Sequence, residues 1–288
     1  MVRLDLSRLA GRMTKTVLVV GGTGKSGRRV VSRLREQGAL VRVGARGAPR
    51  PFDWTAPQTW DAAFDGVHAV YVVPLDGAEL TAPFVERAVE HGVERVVLLS
   101  GRGVDVPAYG PQDSPLAITH ISGERAVRAS GVAWTILRPT WFAQNFSEGF
   151  FRDAVRAGEI RLAAGDGAAT FVDAEDIAAV AVAALTAAGH DRQVYELSGP
   201  RAVTMAEAAA EIGATAGRDV RYVAVAPDAF VAELVAAGWP RVDAEGYADA
   251  VAALRTGLDA HVSDGVQRAL GRPPRDFAEF VASTDWAG

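Results

Sequence analysis

Residues 16–37 read TVLVVGGTGKSGRRVVSRLREQ, and this stretch decides the fold. Residues 16–20 are apolar and mostly β-branched, which is typical of a parallel strand buried on both faces. Residues 25–37 place apolar side chains at the spacing of an amphipathic helix. A glycine-rich segment joins the two. The sequence therefore predicts a strand, a tight turn and a helix as one unit.

Glycines 21, 24 and 27 stand at every third place in that turn. We expect Gly21 to permit the turn, Gly24 to let a phosphate approach the backbone, and Gly27 to let the helix pack closely on the strand. The free N–H groups and positive dipole end of a helix N-terminus suit an anion. The turn is predicted to hold the pyrophosphate of a dinucleotide, through Gly21, Thr23, Gly24, Lys25, Ser26 and Gly27.

The end of the second predicted strand, Ala39–Ala45, should select the dinucleotide. An acid about 20 residues after the glycines binds the ribose 2′-hydroxyl of NAD. This chain has Arg46 there, with Arg50 close behind, and a guanidinium suits a 2′-phosphate. The pattern favours NADPH over NADH, with Asp53 as a further cofactor contact. The alternative is that Arg46 is a solvated surface arginine.

Composition excludes several classes of function. The net charge of −5 argues against an electrostatic nucleic-acid binder. Cysteine is absent, which excludes thiolate nucleophiles and cysteine metal sites. No apolar run approaches the roughly 18 residues of a membrane helix, and residues 1–14 lack the apolar stretch of a secretory signal. We expect a cytoplasmic monomer or homodimer with no metal, nucleic-acid or membrane partner.

Strands and helices alternate through the first half of the chain. Helices are predicted at 57–64, 79–91 and 114–130, and strands at 51–54, 68–73, 93–100 and 132–137. This alternation predicts an α/β fold with a doubly wound parallel sheet of the Rossmann type. We assign residues 15–150 to a nucleotide-binding domain that also takes a strand and a helix from 169–198. Residues 1–14 form an N-terminal extension.

The second half is more helical, and residues 151–288 are expected to form a smaller, substrate-binding domain. Helices are predicted at 141–157, 173–187, 205–216, 228–237, 244–258 and 276–283. Strands at 160–163 and 169–172 are predicted to form a hairpin around Gly165-Asp166-Gly167. Asp173 and Asp176 fit a helix cap and first turn better than a catalytic pair.

Ligands in such sheets bind beyond the carboxyl ends of the strands. Residues directly after the predicted strands are therefore the next candidates. Beyond the glycine turn, Arg46 and Asp53, the expected cofactor contacts are Val73, Pro74, Ser100, Pro139, Thr140, Trp141 and Phe142. The expected substrate contacts are Leu75, Tyr109, Trp141, Phe142 and Asn145. Core packing is predicted for Phe146 and Phe150, which continue the aromatic spacing of Phe142.

Several motifs resemble one family. After the glycine turn come VVLLS at 96–100, His120-x-x-x-Glu124, TILRP at 135–139 followed by Trp141-Phe142-x-x-Asn145-Phe146, FVD at 171–173 and YELSGP at 195–200. Over about residues 15–285 the chain resembles the NmrA-like group of atypical short-chain dehydrogenases/reductases. It is similar to NADPH quinone oxidoreductases, triphenylmethane reductases and ergot-alkaloid-type iminium reductases. The resemblance implies an NADP(H)-binding Rossmann domain with a small C-terminal substrate domain.

Typical short-chain dehydrogenases use Tyr-x-x-x-Lys on the helix that here carries His120 and Glu124, which puts ketone chemistry in doubt. Three catalytic candidates remain. His120 has the titration range of a proton donor, Ser100 can contact an oxyanion or ribose, and Tyr109 lies in a loop that can reach the site. The alternatives are a surface pair with Glu124 for His120, a plain strand-end hydroxyl for Ser100 and a surface position for Tyr109.

One function and one alternative follow. Hydride transfer is the chemistry of the cofactor, while the protein holds donor and acceptor. We predict an NADPH-dependent reductase of a small, mainly apolar acceptor in secondary metabolism: an imine or iminium, a quinone or an activated alkene. Iminium fits best because it needs no proton. The family also contains nucleotide-binding regulators, so the alternative is an NADP(H) sensor that acts through a protein partner without catalysis.

Overall fold

A six-stranded sheet forms the centre of the protein. The computed structural model describes residues 15–286, so the predicted extension at 1–14 lies outside the described residues. The strands are β1 (Thr16–Val20), β2 (Leu40–Gly44), β3 (Val67–Val72), β4 (Arg95–Leu99), β5 (Ala133–Pro139) and β8 (Gln193–Leu197), in the order β2-β1-β3-β4-β5-β8. All neighbouring pairs are parallel. The order reverses between β1 and β3, which creates the crevice where doubly wound sheets bind ligands.

Helices cover both faces of this sheet. One face carries α1 (Lys25–Glu36), α7 (Ala174–Thr186) and α11 (Gly265–Leu270), and the other carries α2 (Trp60–Phe64), α3 (Thr81–Glu90) and α4 (Pro115–Ala129). Strand side chains alternate between the faces: Val19 is buried toward the first and Leu18 toward the second. The predicted doubly wound parallel sheet is confirmed. The sequence did not predict α11.

The start of α7 has the expected cap. The Asp173 carboxylate accepts the Glu175 N–H at 2.8 Å, as an N-cap residue does. Asp176 is fully buried and accepts a hydrogen bond from Arg272 at 2.7 Å. Both aspartates therefore stabilise the fold, as the sequence indicated.

The predicted strand at Pro51–Trp54 is wrong. In the described part of the chain this segment joins no sheet. The Asp53 carboxylate instead accepts hydrogen bonds from the N–H and hydroxyl of Thr55, at 2.9 and 2.8 Å, and starts a turn. Phe52 packs on Trp60 and Phe84. The aromatic side chains of this segment serve core packing, not strand pairing.

The predicted continuous helix 141–157 is also wrong. Only α5 (Asn145–Glu148) and α6 (Arg152–Ala157) are helical. The break falls at Gly149, where an added side chain would overlap the Lys25 ammonium. Residues 141–144 are not helical either, so the aromatic spacing alone does not make this segment a helix.

The hairpin predicted around residues 165–167 does not form. Its two strands pair elsewhere: β6 (Glu159–Leu162) lies parallel to β10 (Arg221–Ala224), and β7 (Ala168–Ala169) lies antiparallel to β9 (Val203–Thr204). Gly167 sits so close to the backbone of Leu254 that any side chain would overlap it. Gly167 thus allows the backbone of Leu254 to pack directly against the turn.

A second core lies beneath the C-terminal helices. These helices are α8 (Met205–Ala216), α9 (Pro227–Ala236), α10 (Arg241–Arg255) and α12 (Phe277–Ser283). Phe146 is fully buried in this core, as predicted, and packs on Phe171 and Phe277. Phe150 is 65 % exposed, so its predicted core position is wrong. Within residues 15–286, no helix has the length and apolar character needed to cross a membrane.

Candidate functional site

The glycine turn closes in the way its spacing predicts. Gly21 has φ +74°, a left-handed conformation that side chains disfavour. The Gly24 N–H donates to the Gly21 carbonyl oxygen at 2.9 Å. A Cβ at Gly27 would overlap that oxygen, whereas a Cβ at Gly24 would stand 3.3 Å from it. Gly21 and Gly27 therefore shape the turn, and Gly24 leaves its outer side open to a ligand.

The first turn of α1 presents its N–H groups without a side-chain cap. Gly24 is the cap residue, and no acidic side chain occupies the first turn. Thr23 and Gly24 are exposed, whereas Ser26 is buried and its hydroxyl accepts a hydrogen bond from Tyr71 at 3.0 Å. An anion can therefore reach the N–H groups of the turn. Ser26 offers its backbone N–H, and its hydroxyl, which accepts from Tyr71, still has a hydrogen to donate.

Lys25 connects this turn to the C-terminal lobe. Its ammonium donates to Asn145 Oδ1 at 2.8 Å and lies 5.3 Å from the centre of the Phe150 ring. Burial lowers the pKa of Lys25, although Glu148 opposes the effect. Phe150 in turn packs on Tyr247 of α10, with ring centres 5.6 Å apart. Lys25 and Asn145, expected on cofactor and substrate respectively, thus share one corner of the cleft.

Arg46 is available for a ligand beyond the end of β2. Its side chain is exposed and makes no hydrogen bond or ion pair with any residue in the described range. Arg50 is not equivalent, because its guanidinium pairs with Asp65 at 2.9 Å. The pKa of Asp53 is lowered by the hydrogen bonds from Thr55 and also by the charge of Arg46. The Asp53 side chain is therefore occupied by its own turn.

The carboxyl ends of β3, β4 and β5 continue the crevice from the glycine turn. Val73 follows β3, and a Cβ on Gly21 would lie 2.8 Å from the Val73 Cβ. Arg102 follows β4, and its N–H donates to the carbonyl oxygen of Pro139 at the end of β5, 3.0 Å away. The segments after four strands therefore border one cleft.

The loop after β3 lies against α4. Pro74 is buried, and Leu75 is 37 % exposed. The Thr119 hydroxyl on α4 is 3.4 Å from the Ala78 carbonyl oxygen in this loop. Leu75 is thereby held near the helix that carries the catalytic candidate His120.

Ser100 belongs to a buried charge network. Its hydroxyl donates to Glu124 Oε1 at 2.7 Å, and Arg138 Nε donates to the same oxygen at 2.7 Å. Arg138 also pairs with Asp105 at 2.8 Å. Although burial acts to raise the pKa of Glu124, the hydrogen bonds from Arg138 and Ser100 lower it. Ser100 therefore keeps lone pairs for a ligand, while its hydrogen is committed to Glu124.

His120 faces the end of β4 and not the protein surface. A Cβ on Gly101 would stand 3.9 Å from its Cδ2 and Nε2 atoms, and its Nδ1 is buried without a hydrogen-bond partner. Burial lowers the pKa of His120, with Asp76 and Glu124 acting in the opposite direction. The alternative of a surface pair with Glu124 is wrong, since that carboxylate binds Ser100 and two arginines.

Residues 258–261 form a turn, named here the 258–261 turn. Side chains from loops that follow strands of the central sheet donate hydrogen bonds to it. Tyr109 donates its hydroxyl hydrogen to the Leu258 carbonyl oxygen at 2.9 Å. Trp141 Nε1 donates to Asp259 Oδ2 at 2.9 Å. Arg102 Nη1 donates to the His261 carbonyl oxygen at 2.7 Å. Tyr109, Trp141 and Arg102 thus all bind the 258–261 turn.

Several buried polar atoms at this edge have no hydrogen-bond partner in the described part of the chain. They are Arg102 Nε and Nη2, His120 Nδ1, Thr140 Oγ1 and Thr81 Oγ1. An unpaired buried group costs about 1–3 kcal/mol, and such groups in native proteins call for a ligand, water or catalytic explanation. Arg102, His120 and Thr140 follow or face β4 and β5. The edge therefore has the unsatisfied polar groups that a bound ligand would pair.

One residue of this edge was not predicted, one was predicted only by its position, and one predicted residue faces elsewhere. Arg102 follows the strand predicted at 93–100, so it was among the residues to inspect, but the sequence assigned it no role. Asp259 had no local signal. Phe142 bridges to Val172 and packs on the core of the sheet domain.

A cavity of about 640 Å³ lies away from this edge, between α1, the start of α7 and the C-terminal end. Its arginines are already paired: Arg33 with Glu175 at 2.7 Å and Arg275 with Asp173 at 2.6 Å. The glycine turn does not line it. Its position and paired charges do not fit the nucleotide.

Comparison with known proteins agrees with this geometry. The model of a family described as NAD(P)H-binding matches residues 21–188, more than half of the chain. An NAD(P)H azoreductase from Xenophilus azovorans is 39 % identical over 283 residues, which cover 92 % of this chain and 96 % of that protein.

Two solved structures are similar over 92 % of this chain and 98 % of their own. An NADPH-dependent quinone oxidoreductase from Escherichia coli is 26 % identical with a TM-score of 0.74. A triphenylmethane reductase from Citrobacter sp., solved with NADP(H), is 25 % identical with a TM-score of 0.71. The predicted Rossmann fold and nicotinamide cofactor are confirmed. The chain is therefore an NAD(P)H-dependent oxidoreductase that belongs to the NmrA-like group of atypical short-chain dehydrogenases/reductases.

Proposed function

We propose that this protein is an NADPH-dependent reductase that delivers hydride to a small, flat, mainly apolar acceptor. The observation that carries the proposal is the set of unpaired buried atoms of Arg102, His120 and Thr140 at the carboxyl ends of β4 and β5. These atoms border the same crevice as the glycine turn. The bound nucleotide supplies the hydride, and this edge holds the reacting groups together.

The choice of NADPH rests on Arg46. Arg46 follows β2, where dinucleotide-binding folds contact the adenosine ribose, and its guanidinium is exposed. It makes no competing ion pair with a described residue, unlike Arg50. A 2′-phosphate would give it charge-assisted, bidentate hydrogen bonds.

The acceptor class follows from the ring surfaces beside the cleft. Trp141 is half-buried at the end of β5, and Phe150 is largely exposed beside Lys25. Such surfaces suit conjugated, planar molecules. The relatives named above are an azoreductase and a quinone oxidoreductase. Azo compounds, which the sequence did not suggest, therefore join quinones, iminium ions and activated alkenes as acceptors of this chain.

The test is a nucleotide titration followed by an acceptor panel. We expect NADPH to bind more tightly than NADH by fluorescence titration, and its oxidation to accelerate with at least one acceptor class. Arg50→Ala serves as the matched control for Arg46→Ala in the same titrations. Tight binding with no turnover of any class would contradict the proposal and favour a nucleotide-sensing regulator.

A further inference from the structure

Reduction of a neutral azo or quinone acceptor needs a proton as well as a hydride, so this inference rests on the proposed function. The donors expected from the sequence are poorly suited. Ser100 gives its hydrogen to Glu124, and Tyr109 gives its hydrogen to the Leu258 carbonyl oxygen. Burial lowers the pKa of His120, which leaves the ring neutral at pH 7. The proton has to come from another group.

Asp259 is placed to supply it. Its side chain is 3 % exposed, within the turn that Trp141 and Arg102 bind from the ends of β5 and β4. Oδ2 accepts the Trp141 indole hydrogen bond, while Oδ1 accepts no hydrogen bond from any residue in the 15–286 range. Arg102 and Tyr109 are the ionisable side chains that face it from other segments. One carboxyl oxygen is therefore fixed and the other is unpaired.

The surroundings of Asp259 favour its protonated form more than those of its neighbours. Burial raises the pKa of Asp259, although the Trp141 hydrogen bond and the Arg102 charge act against it. The hydrogen bonds of Arg138 lower the pKa of Asp105, and they also lower that of Glu124 against the effect of burial. Asp259 lacks such a bidentate cation.

We propose that Asp259 is the proton donor for neutral acceptors. Bound NADPH would supply a hydride, with its two electrons, to one nitrogen of an N=N group or to one oxygen of a quinone. The displaced π electrons would then pass to the other nitrogen, or through the quinone ring to the other oxygen. This pair takes the proton of the Asp259 carboxyl group, whose O–H electrons stay on the carboxylate. Water returns a proton to Asp259 after the product leaves.

The test compares a neutral acceptor with a cationic one. Asp259→Asn keeps an oxygen for the Trp141 indole but carries no acidic proton. We expect turnover of a quinone or azo compound to fall about 100-fold, the usual scale of general acid catalysis. Reduction of an iminium ion, which needs no proton, should stay within about threefold. Asp264→Asn, an exposed aspartate 3.7 Å from Arg268, is the control and should change neither rate.

The outcomes separate this inference from the proposed function. A loss confined to the neutral acceptor supports the donor role. Equal losses on both acceptors, or none on either, overturn it while the reductase stands. No turnover of either class by the unaltered protein overturns the proposed function and the donor role together. NADPH affinity, measured by fluorescence, should be unchanged in Asp259→Asn.

A measurement without nucleotide or turnover completes the test. Carboxyl ¹³C NMR of the unaltered protein should show one aspartate titrating above the ordinary range near 4, and this signal should vanish in Asp259→Asn. Trp141→Phe removes the indole hydrogen bond, so the same signal should move to higher pH. The basic limb of quinone turnover should move with it to higher pH, whatever the change in overall rate. An Asp259 signal in the ordinary range would overturn the proposal.

Discussion

The proposed nucleotide half and the proposed acceptor half of the site differ in which parts of the chain form them. The nucleotide half, around Gly21 and Gly27, is backbone whose shape is set within one short stretch. The acceptor half consists of side chains from distant segments: Trp141 and Asp259, which share a hydrogen bond, are 118 residues apart. Substitutions in the first half should act on the whole turn at once. Substitutions in the second should remove single interactions and leave the rest in place.

The largest effect on nucleotide binding is expected at Gly27. In Gly27→Ala the new Cβ overlaps the Gly21 carbonyl oxygen, so the turn must open. We expect a stability loss of about 2–3 kcal/mol and at least a 100-fold weaker NADPH affinity, measured by urea denaturation and fluorescence titration. Gly24→Ala is the matched control: its Cβ would make a tight contact of 3.3 Å with the Gly21 carbonyl oxygen and not an overlap, so its stability loss should be clearly smaller while NADPH binding weakens. Equal stability losses at both glycines would contradict the assignment of their roles.

In the acceptor half, Glu124 should carry the largest stability effect. Glu124→Gln leaves Arg138 without its buried counter-charge, which should cost about 3 kcal/mol at neutral pH. The pKa of Glu124 is lowered in the folded protein, so its contribution is present above the ordinary glutamate range and is lost as pH falls through the folded value. Urea denaturation should therefore show the gap between the two proteins closing below about pH 4.

The control for this prediction is Glu159→Gln. That carboxylate lies in a more exposed network with Arg161 and Arg221, so its loss should matter little because solvent screens such pairs. A gap for Glu124→Gln that is independent of pH would show that its carboxylate charge is not what stabilises the fold.

Arg46 should have an intermediate effect that is specific to the nucleotide half. Arg46→Ala should weaken NADPH about 10–100-fold, because a charge-assisted hydrogen bond contributes about 1.5–3 kcal/mol. NADH lacks the 2′-phosphate, and its affinity should change less than about twofold. Titrations of both nucleotides decide the matter, with Arg50→Ala expected to resemble the unaltered protein. Equal weakening of NADPH and NADH would remove the 2′-phosphate assignment.

The smallest effect is expected from His120. His120→Asn should lower kcat about tenfold, because one hydrogen bond to the bound acceptor is lost. The pKa of His120 is lowered, so the ring charges only below the ordinary histidine range near 6.5. The unaltered protein should therefore lose activity only at a pH below that range, as the ring becomes charged, and this acidic limb should be absent in His120→Asn. His91→Asn, at an exposed histidine near Asp61, should keep it.

The contrast between the halves also explains what the sequence could predict. The glycine turn, the parallel strands and the Asp173 cap depend on residues close together in the chain, and local spacing indicated them correctly. The helix predicted at 141–157 is interrupted at Gly149, and the strands predicted around 165–167 pair with distant strands, which local spacing does not reveal. Local spacing likewise predicted a core position for Phe150, whose ring is in fact largely exposed.

The acceptor half shows this limit most clearly. His120 and Glu124 are four residues apart on one helix, so a pairing between them was a natural expectation. In the structure, the Glu124 carboxylate instead accepts hydrogen bonds from Ser100 and Arg138, and the His120 ring lies toward Gly101. Asp259 had no local pattern at all, because its partner Trp141 arrives from another part of the chain. Burial and long-range pairing were needed to find it.

The 258–261 turn has a consequence for how this scaffold diversifies. The turn accepts hydrogen bonds from Arg102, Tyr109 and Trp141. It therefore fixes the C-terminal end of the preceding span, residues 227–255. That span carries Trp239 and Tyr247, whose rings stack 5.8 Å apart. Exchanging 227–255 between relatives, with the turn retained, should alter which acceptors are admitted while coenzyme recognition is inherited unchanged. On the proposed function, variation within 227–255 is therefore expected to change substrate range while the 258–261 turn stays in place.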